Sequence, residues 1–345
     1  MMVQPMRILI TTWLPPDLVQ RIAAVDTRLE VLYPQHLIAE PRYMGDHTLP
    51  VADTPALQQQ WRDLLASAEI LFDFGPALMT GELAGWPSLR WIQASSAGVG
   101  QFARRVGLTN SRIVVTTASG IHARPLAEFV LMAILMFTKE AFRLAADQRA
   151  HRWERYASDE VAGKLVGLIG VGRIGREIAR LARVLDAKVI GTVRDPGGRR
   201  AEDLYLDALL PAERADEVIE CADYLVLCSP HTPETDGLLN ASRLARMKRD
   251  AVLINIARGA LVDEPALIAA LREERLRGAA LDVFAREPLP PDSPLWDMPN
   301  VLICPHSAST AFSENTRLVD LFCDNLRRYL DGQPLRNVLD YTLLY

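Results

Sequence analysis

The chain of 345 residues is short of several things, and each shortage narrows what it can be. Cysteine is sparse: Cys221, Cys228, Cys304 and Cys323 form no Cys-x-x-Cys and keep no ligand-like spacing with histidine. This excludes a disulfide-stapled scaffold and gives no case for structural zinc, so no metal is expected and the thiols read as those of a reducing, cytoplasmic protein. Long apolar runs are missing too. The longest, Phe129–Phe137, is too short to span a bilayer and reads as a buried helix, so no membrane partner is expected. Met1–Arg7 leads directly into Ile8-Leu9-Ile10 without the h-region and cleavage site of a secretory leader. There is no basic excess: 38 Lys and Arg stand against 43 Asp and Glu, a net charge of −5. Arg199-Arg200 and Arg327-Arg328 are isolated pairs on solvated faces, and nucleic acid is not an expected partner. No short repeat or low-complexity tract stands out. What remains, 49% hydrophobic and 23% charged, is the composition of a globular protein with a full core and length enough for two domains.

The stretch that organises the chain is Val166–Ala179. Val166, Leu168 and Ile169 lead into Gly170-Val171-Gly172-Arg173-Ile174-Gly175, after which Ile174, Ile178, Leu181 and Leu185 recur at helical spacing. The glycines therefore sit where a strand becomes a helix. Gly170 permits the tight turn, Gly172 lets backbone amides approach a pyrophosphate, and Gly175 lets the helix pack closely on the sheet. Arg173 and Ile174 would lie against the pyrophosphate. In that context the pattern reads as a dinucleotide site rather than an ordinary glycine-rich turn.

Around this stretch, short β-rich runs alternate with helical patterns. In the first third the expected strands are Ile8–Thr11, Leu29–Tyr33, Glu69–Asp73, Arg90–Ala94 and Arg112–Thr116, with helices at Pro16–Ala24, Pro55–Ala68 and near Thr80–Ala84. Ala39–Thr54 is a long loop, either functional or a surface excursion. Leu126–Asp147 reads as one helix, apolar nearly all round in its first half, for which a subunit interface is one candidate cover. Six further strands are expected at Val166–Ile169, Lys188–Val193, Tyr224–Cys228, Ala251–Ile256, Ala279–Val283 and Val301–Cys304. Strands alternating with helices imply parallel sheets covered on both faces. The amphipathic stretch Phe312–Asp331 is expected to return to the first domain, with the chain crossing twice at a cleft.

Polar clusters follow the second set of strands, where ligands bind in such sheets. They are Ser229-Pro230-His231-Thr232-Pro233-Glu234-Thr235, Ala257-Arg258-Gly259, Asp282 with Arg286-Glu287-Pro288, and Pro305-His306-Ser307-Ala308. With the glycine loop, this set resembles the D-isomer-specific 2-hydroxyacid dehydrogenases, a family that includes glyoxylate/hydroxypyruvate reductases and phosphoglycerate dehydrogenases. The matching segments are Gly167–Ala179, Ser229–Leu239, Asn255–Glu264, Gly278–Pro290 and Val301–Ala308. The first domain matches more weakly, through Leu89–Val99 and Ala118–Leu131.

The resemblance implies two doubly wound parallel-sheet α/β domains. A Rossmann-type nicotinamide dinucleotide-binding domain is expected at residues 121–307, and a smaller, discontinuous, flavodoxin-like substrate domain at 1–120 and 308–345. It implies a catalytic trio of Arg258, Glu287 and His306 reducing a 2-oxo acid to the D-2-hydroxy acid. An imidazole titrates near neutrality and suits His306 as proton donor. Glu287 would favour the imidazolium and orient the ring, and Arg258 offers a fork of donors to the substrate carboxylate and developing oxyanion. Of the other histidines, His36, His47, His122, His151 and His231, none has a comparable claim. Ser229, Pro230, Thr235, Ala257, Asp282 and Ala308 are implied to face the cofactor, Asp282 on its nicotinamide side. Backbone amides of Ser95-Ser96-Ala97-Gly98-Val99-Gly100 are implied to hold the substrate carboxylate, chiefly at Ala97, Gly98 and Val99. Many relatives have an aspartate where this chain has Gly100. The opposite wall, Phe72-Asp73-Phe74-Gly75-Pro76, has Phe74 toward substrate and offers no Arg or Lys for a phosphate, which favours an unphosphorylated acid.

The residue expected to bond the cofactor ribose falls at Val193, followed by Arg194 and Asp195, with Arg199-Arg200 beyond. An arginine in place of the acid favours NADP(H) over NAD(H), although Asp195 could reach the ribose instead. Cleft closure is expected to exclude water. A homodimer is expected, and with the chain ending at Tyr345 no appended regulatory domain is. A non-catalytic NAD(H)-responsive corepressor-like protein is the alternative, which the complete Arg258–Glu287–His306 set argues against. Formate dehydrogenases pair the histidine with glutamine, so Glu287 disfavours that reading.

Overall fold

The computed structural model describes residues 5–47, 54–75 and 86–344. The chain divides into two compact units, Met1–Ile121 with Thr310–Tyr345, and His122–Ser309. Pro76 and the helix expected near Thr80–Ala84 lie outside the described residues, as does the end of the Ala39–Thr54 loop.

In the first unit, the β-rich runs form strands β1 (Met6–Ile10), β2 (Leu29–Leu32), β3 (Ile70–Phe72), β4 (Trp91–Gln93) and β5 (Val114–Thr116). Among the described residues they make one parallel sheet in the order β2-β1-β3-β4-β5, the flavodoxin-like order. Helix Pro55–Ser67 starts where Thr54 accepts a hydrogen bond from Leu57 N (3.3 Å) and a proline follows at the first turn. Helix Glu314–Leu330 belongs to this unit and buries Leu318, Phe322 and Leu326 on one face. The Phe322 ring packs edge-on to Phe72 (5.0 Å between centroids) and against Trp91 (5.1 Å). Parallel strands all end on the same sheet edge, so the loops after β1, β3 and β4 emerge side by side.

The second unit holds β6 (Leu165–Ile169), β7 (Lys188–Val193), β8 (Ala208–Pro211), β9 (Tyr224–Leu227), β10 (Val252–Asn255), β11 (Gly278–Leu281) and β12 (Val301–Ile303). They form a parallel sheet ordered β12-β11-β10-β9-β6-β7-β8. Along β9, Tyr224 and Val226 face one core while Leu225 and Leu227 face the other. A strand buried on both faces reads as a continuous apolar run, as expected of a doubly wound sheet.

Two expectations need correction. The sheet has a seventh strand, β8, which the sequence hides because Ala208-Leu209-Leu210-Pro211 is a half-buried edge run ending in proline. The preceding Asp207 anchors it, accepting from Val189 N (2.7 Å) and Arg183 Nη1 (2.6 Å). And Leu126–Asp147 is not one helix but two, Ala123–Thr138 and Ala141–Arg149. Side chains take carbonyls at the break: Arg277 Nη2 donates to Phe137 O in the last turn of the first helix (2.6 Å), and the Tyr156 hydroxyl to Lys139 O just beyond it (3.0 Å). Glu140 then turns into the left-handed region at φ 54°. Periodicity continues across this point and does not mark the break.

Among the described residues no helix is long and apolar enough to cross a membrane.

Candidate active site

The glycine loop joins β6 to helix Arg173–Val184, and its three glycines are needed for different reasons. Gly170 has φ 100°, and a Cβ there would lie 2.7 Å from the backbone of Ser229. A Cβ at Gly175 would lie 2.7 Å from Gly170 O. At Gly172 no atom of the described residues lies within 4 Å of the place a Cβ would occupy, so none of them demands glycine there. The loop is held by Gly170 N and Val171 N donating to Thr192 O (3.1 and 2.9 Å) and by the Cys228 thiol on Gly170 O (2.9 Å). Burial pushes that thiol up to about 12. Arg173 is exposed, whereas Ile174 is half-buried against the core.

Beside the loop, the Ser229 hydroxyl is buried and has no hydrogen-bond partner among the described residues. An unpaired buried hydroxyl costs free energy unless a ligand satisfies it. The vacant surroundings of Gly172 and this orphaned hydroxyl fit a dinucleotide held at the head of the helix. Pro230 and Thr235 shape the same loop: the Thr235 hydroxyl donates to Pro230 O (2.8 Å) and accepts from Thr232 N (2.8 Å). His231 pairs with Asp236 at 2.9 Å. At the end of β7, Arg194 and Asp195 are exposed, and the Asp195 carboxylate turns back to accept from Gly197 N (2.9 Å).

The loops after β10, β11 and β12 bring Arg258, Glu287 and His306 together. His306 Nδ1 meets Glu287 Oε2 at 2.7 Å, and Glu287 Oε1 accepts from Phe284 N at 3.0 Å. Both carboxylate oxygens are thus used to fix one ring. The hydrogen bond to Glu287 raises the His306 pKa above its ordinary value against the opposing effect of burial. Burial would push the Glu287 carboxyl up, but the bonds from His306 and Phe284 N outweigh it and hold the group below the usual carboxylate range. Arg258 is drawn down by burial, with the charges of Glu287 and Asp282 acting in the other direction. A guanidinium stays cationic regardless.

The supporting residues are less visible in sequence. Buried Asn255 brackets the Arg258 turn, accepting from Ala257 N and donating to Arg258 O, both at 3.1 Å. Asp282 lies one residue beyond β11, and its Oδ1 accepts from Ser307 N (2.8 Å) and Ala308 N (2.9 Å) while its carbonyl accepts from His306 N (2.9 Å). Its carboxylate therefore braces the loop that carries His306, whose backbone sits in the left-handed region at φ 52°. These bonds span 25 and 26 positions, so no local sequence pattern identifies the bracing.

Ala97, Gly98, Val99 and Phe74 belong to the first unit. Among the described residues the amides of Ser96, Ala97 and Val99 have no hydrogen-bond acceptor, leaving a run of donors at the end of β4. Such a run is an anion-binding concavity. Phe74 packs edge-on to Phe102 (4.8 Å). A Cβ at Gly100 would fall 1.8 Å from Leu344 O, so the C-terminal turn occupies the space that a side chain here would need. Asp73, which sequence reasoning quoted without assigning, has φ 69° and accepts from Ser95 N at 3.2 Å.

Comparisons with known proteins agree with this fold. Residues 131–308 match the family model described as D-isomer specific 2-hydroxyacid dehydrogenase, NAD binding domain. A glyoxylate reductase of Thermofilum pendens is 35% identical over 65% of this chain and 67% of its own length. Glyoxylate/hydroxypyruvate reductase B of Citrobacter koseri is 30% identical over 83% of this chain and 89% of its own. Among solved structures, a D-isomer specific 2-hydroxyacid dehydrogenase of Xanthobacter autotrophicus in complex with NADPH and MES is 30% identical. It aligns with a TM-score of 0.78 over 98% of this chain and all of that one. With the doubly wound sheets and the Arg258, Glu287 and His306 cluster in place, the chain belongs to the D-isomer-specific 2-hydroxyacid dehydrogenases, a family of NAD(P)-dependent oxidoreductases.

Proposed function

We propose that this enzyme reduces a small, unphosphorylated 2-oxo acid of the glyoxylate or hydroxypyruvate kind to the D-2-hydroxy acid, with His306 as acid/base. The observation that carries the role of His306 is its 2.7 Å bond to Glu287 through Nδ1, which leaves Nε2 to hold the transferable proton. The bound nicotinamide supplies the hydride. Arg258 faces the growing negative charge of the carbonyl oxygen, where a partly desolvated cation is most effective. Backbone amides of Ala97, Gly98 and Val99 take the substrate carboxylate, and Phe74 packs against the remainder of the molecule. Gly170, Gly172, Arg173, Ile174 and Gly175 hold the pyrophosphate. The orphaned Ser229 hydroxyl, with Pro230, Thr235, Ala257 and Ala308, contributes to the cofactor wall.

NADP(H) is the favoured cofactor. One oxygen of the Asp195 carboxylate accepts from Gly197 N, and exposed Arg194 beside it is a suitable partner for a 2′-phosphate. The NADPH complex of the Xanthobacter relative supports the same reading. The unphosphorylated substrate is supported by Arg42, whose fork is bound to the buried Asp46 through Nε (2.7 Å) and Nη2 (3.1 Å). A second copy of the chain is the proposed cover for Trp153, which is 96% exposed, and for Met132, Leu135 and Leu144 on the helices before it. Sedimentation as a monomer at micromolar concentration would overturn the dimer.

The test of activity is a rate matrix of NADH and NADPH against glyoxylate, hydroxypyruvate, pyruvate, phenylpyruvate and phosphohydroxypyruvate. The expected pattern is turnover strongest with NADPH and an unphosphorylated acid. His306→Ala should abolish turnover and leave NADPH affinity nearly intact. Equal loss of both would remove the assigned role.

A further inference from the structure

A carboxylate bonded to the first amide of the proposed carboxylate-binding loop is not used by the chemistry above. Strands β3 and β4 pair in parallel with Phe72 opposite Gln93, so Asp73 and the Ser95–Val99 loop leave the sheet side by side. Asp73 N donates to Gln93 O (2.8 Å), and Asp73 Oδ1 accepts from Ser95 N (3.2 Å). The residue is 7% exposed and holds φ 69°, a conformation that aspartate tolerates better than most side chains. Asp73 thereby takes the first amide of the loop, and those of Ser96, Ala97 and Val99 have no acceptor among the described residues. Its second oxygen has no hydrogen-bond partner among the described residues, and no lysine, arginine or histidine pairs with the carboxylate.

We propose that Asp73 is a specificity-determining residue that rejects 2-oxo acids carrying a second anionic group, such as a phosphate ester or a further carboxylate. This rests on the reading of the Ser95–Val99 loop as the substrate-carboxylate site. One carboxylate is accepted because the loop offers it the unpaired amides of Ser96, Ala97 and Val99. A second anion on the same small molecule stands within about a nanometre of the Asp73 carboxylate. A hydrogen or hydroxyl at that position meets no such penalty. Repulsion at that range, in a medium between protein and water, corresponds to roughly a tenfold discrimination against a unit charge and more against a phosphate dianion.

The experiment compares kcat/KM for phosphohydroxypyruvate with that for hydroxypyruvate, as a ratio, in the wild type and in Asp73→Asn. The ratio cancels any loss common to both substrates. Asparagine keeps an oxygen for Ser95 N and tolerates the left-handed backbone, so the charge is the main change. The expected result is a rise of about tenfold in the ratio at low ionic strength. The wild type gives an independent readout that needs no variant: raising salt from about 20 to about 300 mM screens the repulsion and should raise its ratio. A ratio unmoved by Asp73→Asn, or one that falls with salt in the wild type, overturns the proposal while hydroxypyruvate turnover keeps the substrate reading intact. Absence of turnover with either acid would remove the substrate reading itself and this proposal with it.

Discussion

Replacing Glu287 with glutamine separates the two things that the carboxylate does. One oxygen accepts from His306 Nδ1 at 2.7 Å and the other from Phe284 N at 3.0 Å, so two N–H donors face two acceptors. Glutamine offers one oxygen and one NH2 group, so while His306 Nδ1 carries its proton, one donor faces another donor whichever way the amide turns. The second loss is the charge. A hydrogen bond between ionised partners contributes roughly 1.5–3 kcal/mol. The side chains of His306 and Glu287 are 46% and 35% open to solvent, so the lower end of that range, discounted for screening to about 1 kcal/mol, is the appropriate magnitude. In rate this corresponds to somewhat under tenfold where protonation limits turnover.

The sign follows from the direction of the shift. Because Glu287 raises the His306 pKa, the imidazolium needed for reduction persists as pH rises and is lost only as pH passes the raised value. In Glu287→Gln that loss should come at lower pH, with the gap between variant and wild type widest above the ordinary imidazole range and narrow in acid. Oxidation of the hydroxy acid needs the neutral ring, so its rising limb should likewise move to lower pH in the variant. The assay is kcat/KM for reduction and oxidation from pH 5 to 10 (~ range spanning the imidazole titration). A loss of equal size at every pH would show that Glu287 only orients the ring. A limb displaced to higher pH would refute the electrostatic account altogether.

The glycine loop supplies a matched pair of substitutions. Gly172→Ala meets no atom of the described residues within 4 Å, so its melting temperature should stay near that of the wild type while NADPH affinity falls by at least about tenfold, as seen by nucleotide fluorescence titration. Gly170→Ala should lose both, because φ 100° and a 2.7 Å approach to Ser229 strain the fold itself. Gly172→Ala with undiminished affinity would remove the pyrophosphate from that space. In the other unit, Phe322→Ala deletes a fully buried ring packed on Phe72 and Trp91 and should lower stability by about 3–5 kcal/mol in denaturant unfolding. A cost under ~1 kcal/mol would mean that the helix Glu314–Leu330 is not held by this core.

Much of the fold was legible before any coordinates. Period-two and continuous apolar runs marked the strands, and the strand–glycine–helix succession at Val166–Ala179 marked the nucleotide-type loop, because both are local patterns of side-chain period and backbone freedom. Strand β8 was not legible, since a half-buried edge run carries neither an alternating nor a continuous apolar signal. Nor was the break at Lys139-Glu140, where Arg277 and Tyr156 reach the carbonyls from far along the chain. Residue types at 258, 287 and 306 pointed to proton transfer through resemblance, but only folding sets His306 and Glu287, 19 positions apart, at bonding distance.

The same division runs through the supporting residues. That Asp73, Asn255 and Asp282 are acids or amides at strand ends can be read from the letters. Asn255 bonds within its own turn, but what Asp73 and Asp282 bond cannot be read: Ser95 and the Ser307–Ala308 amides reach them only when separate strands lie parallel and end on one edge. Local propensity is a property of neighbours in the chain and is written there. The partners of a buried polar group come from distant segments, and the geometry that joins them is decided by how the sheets and helices pack.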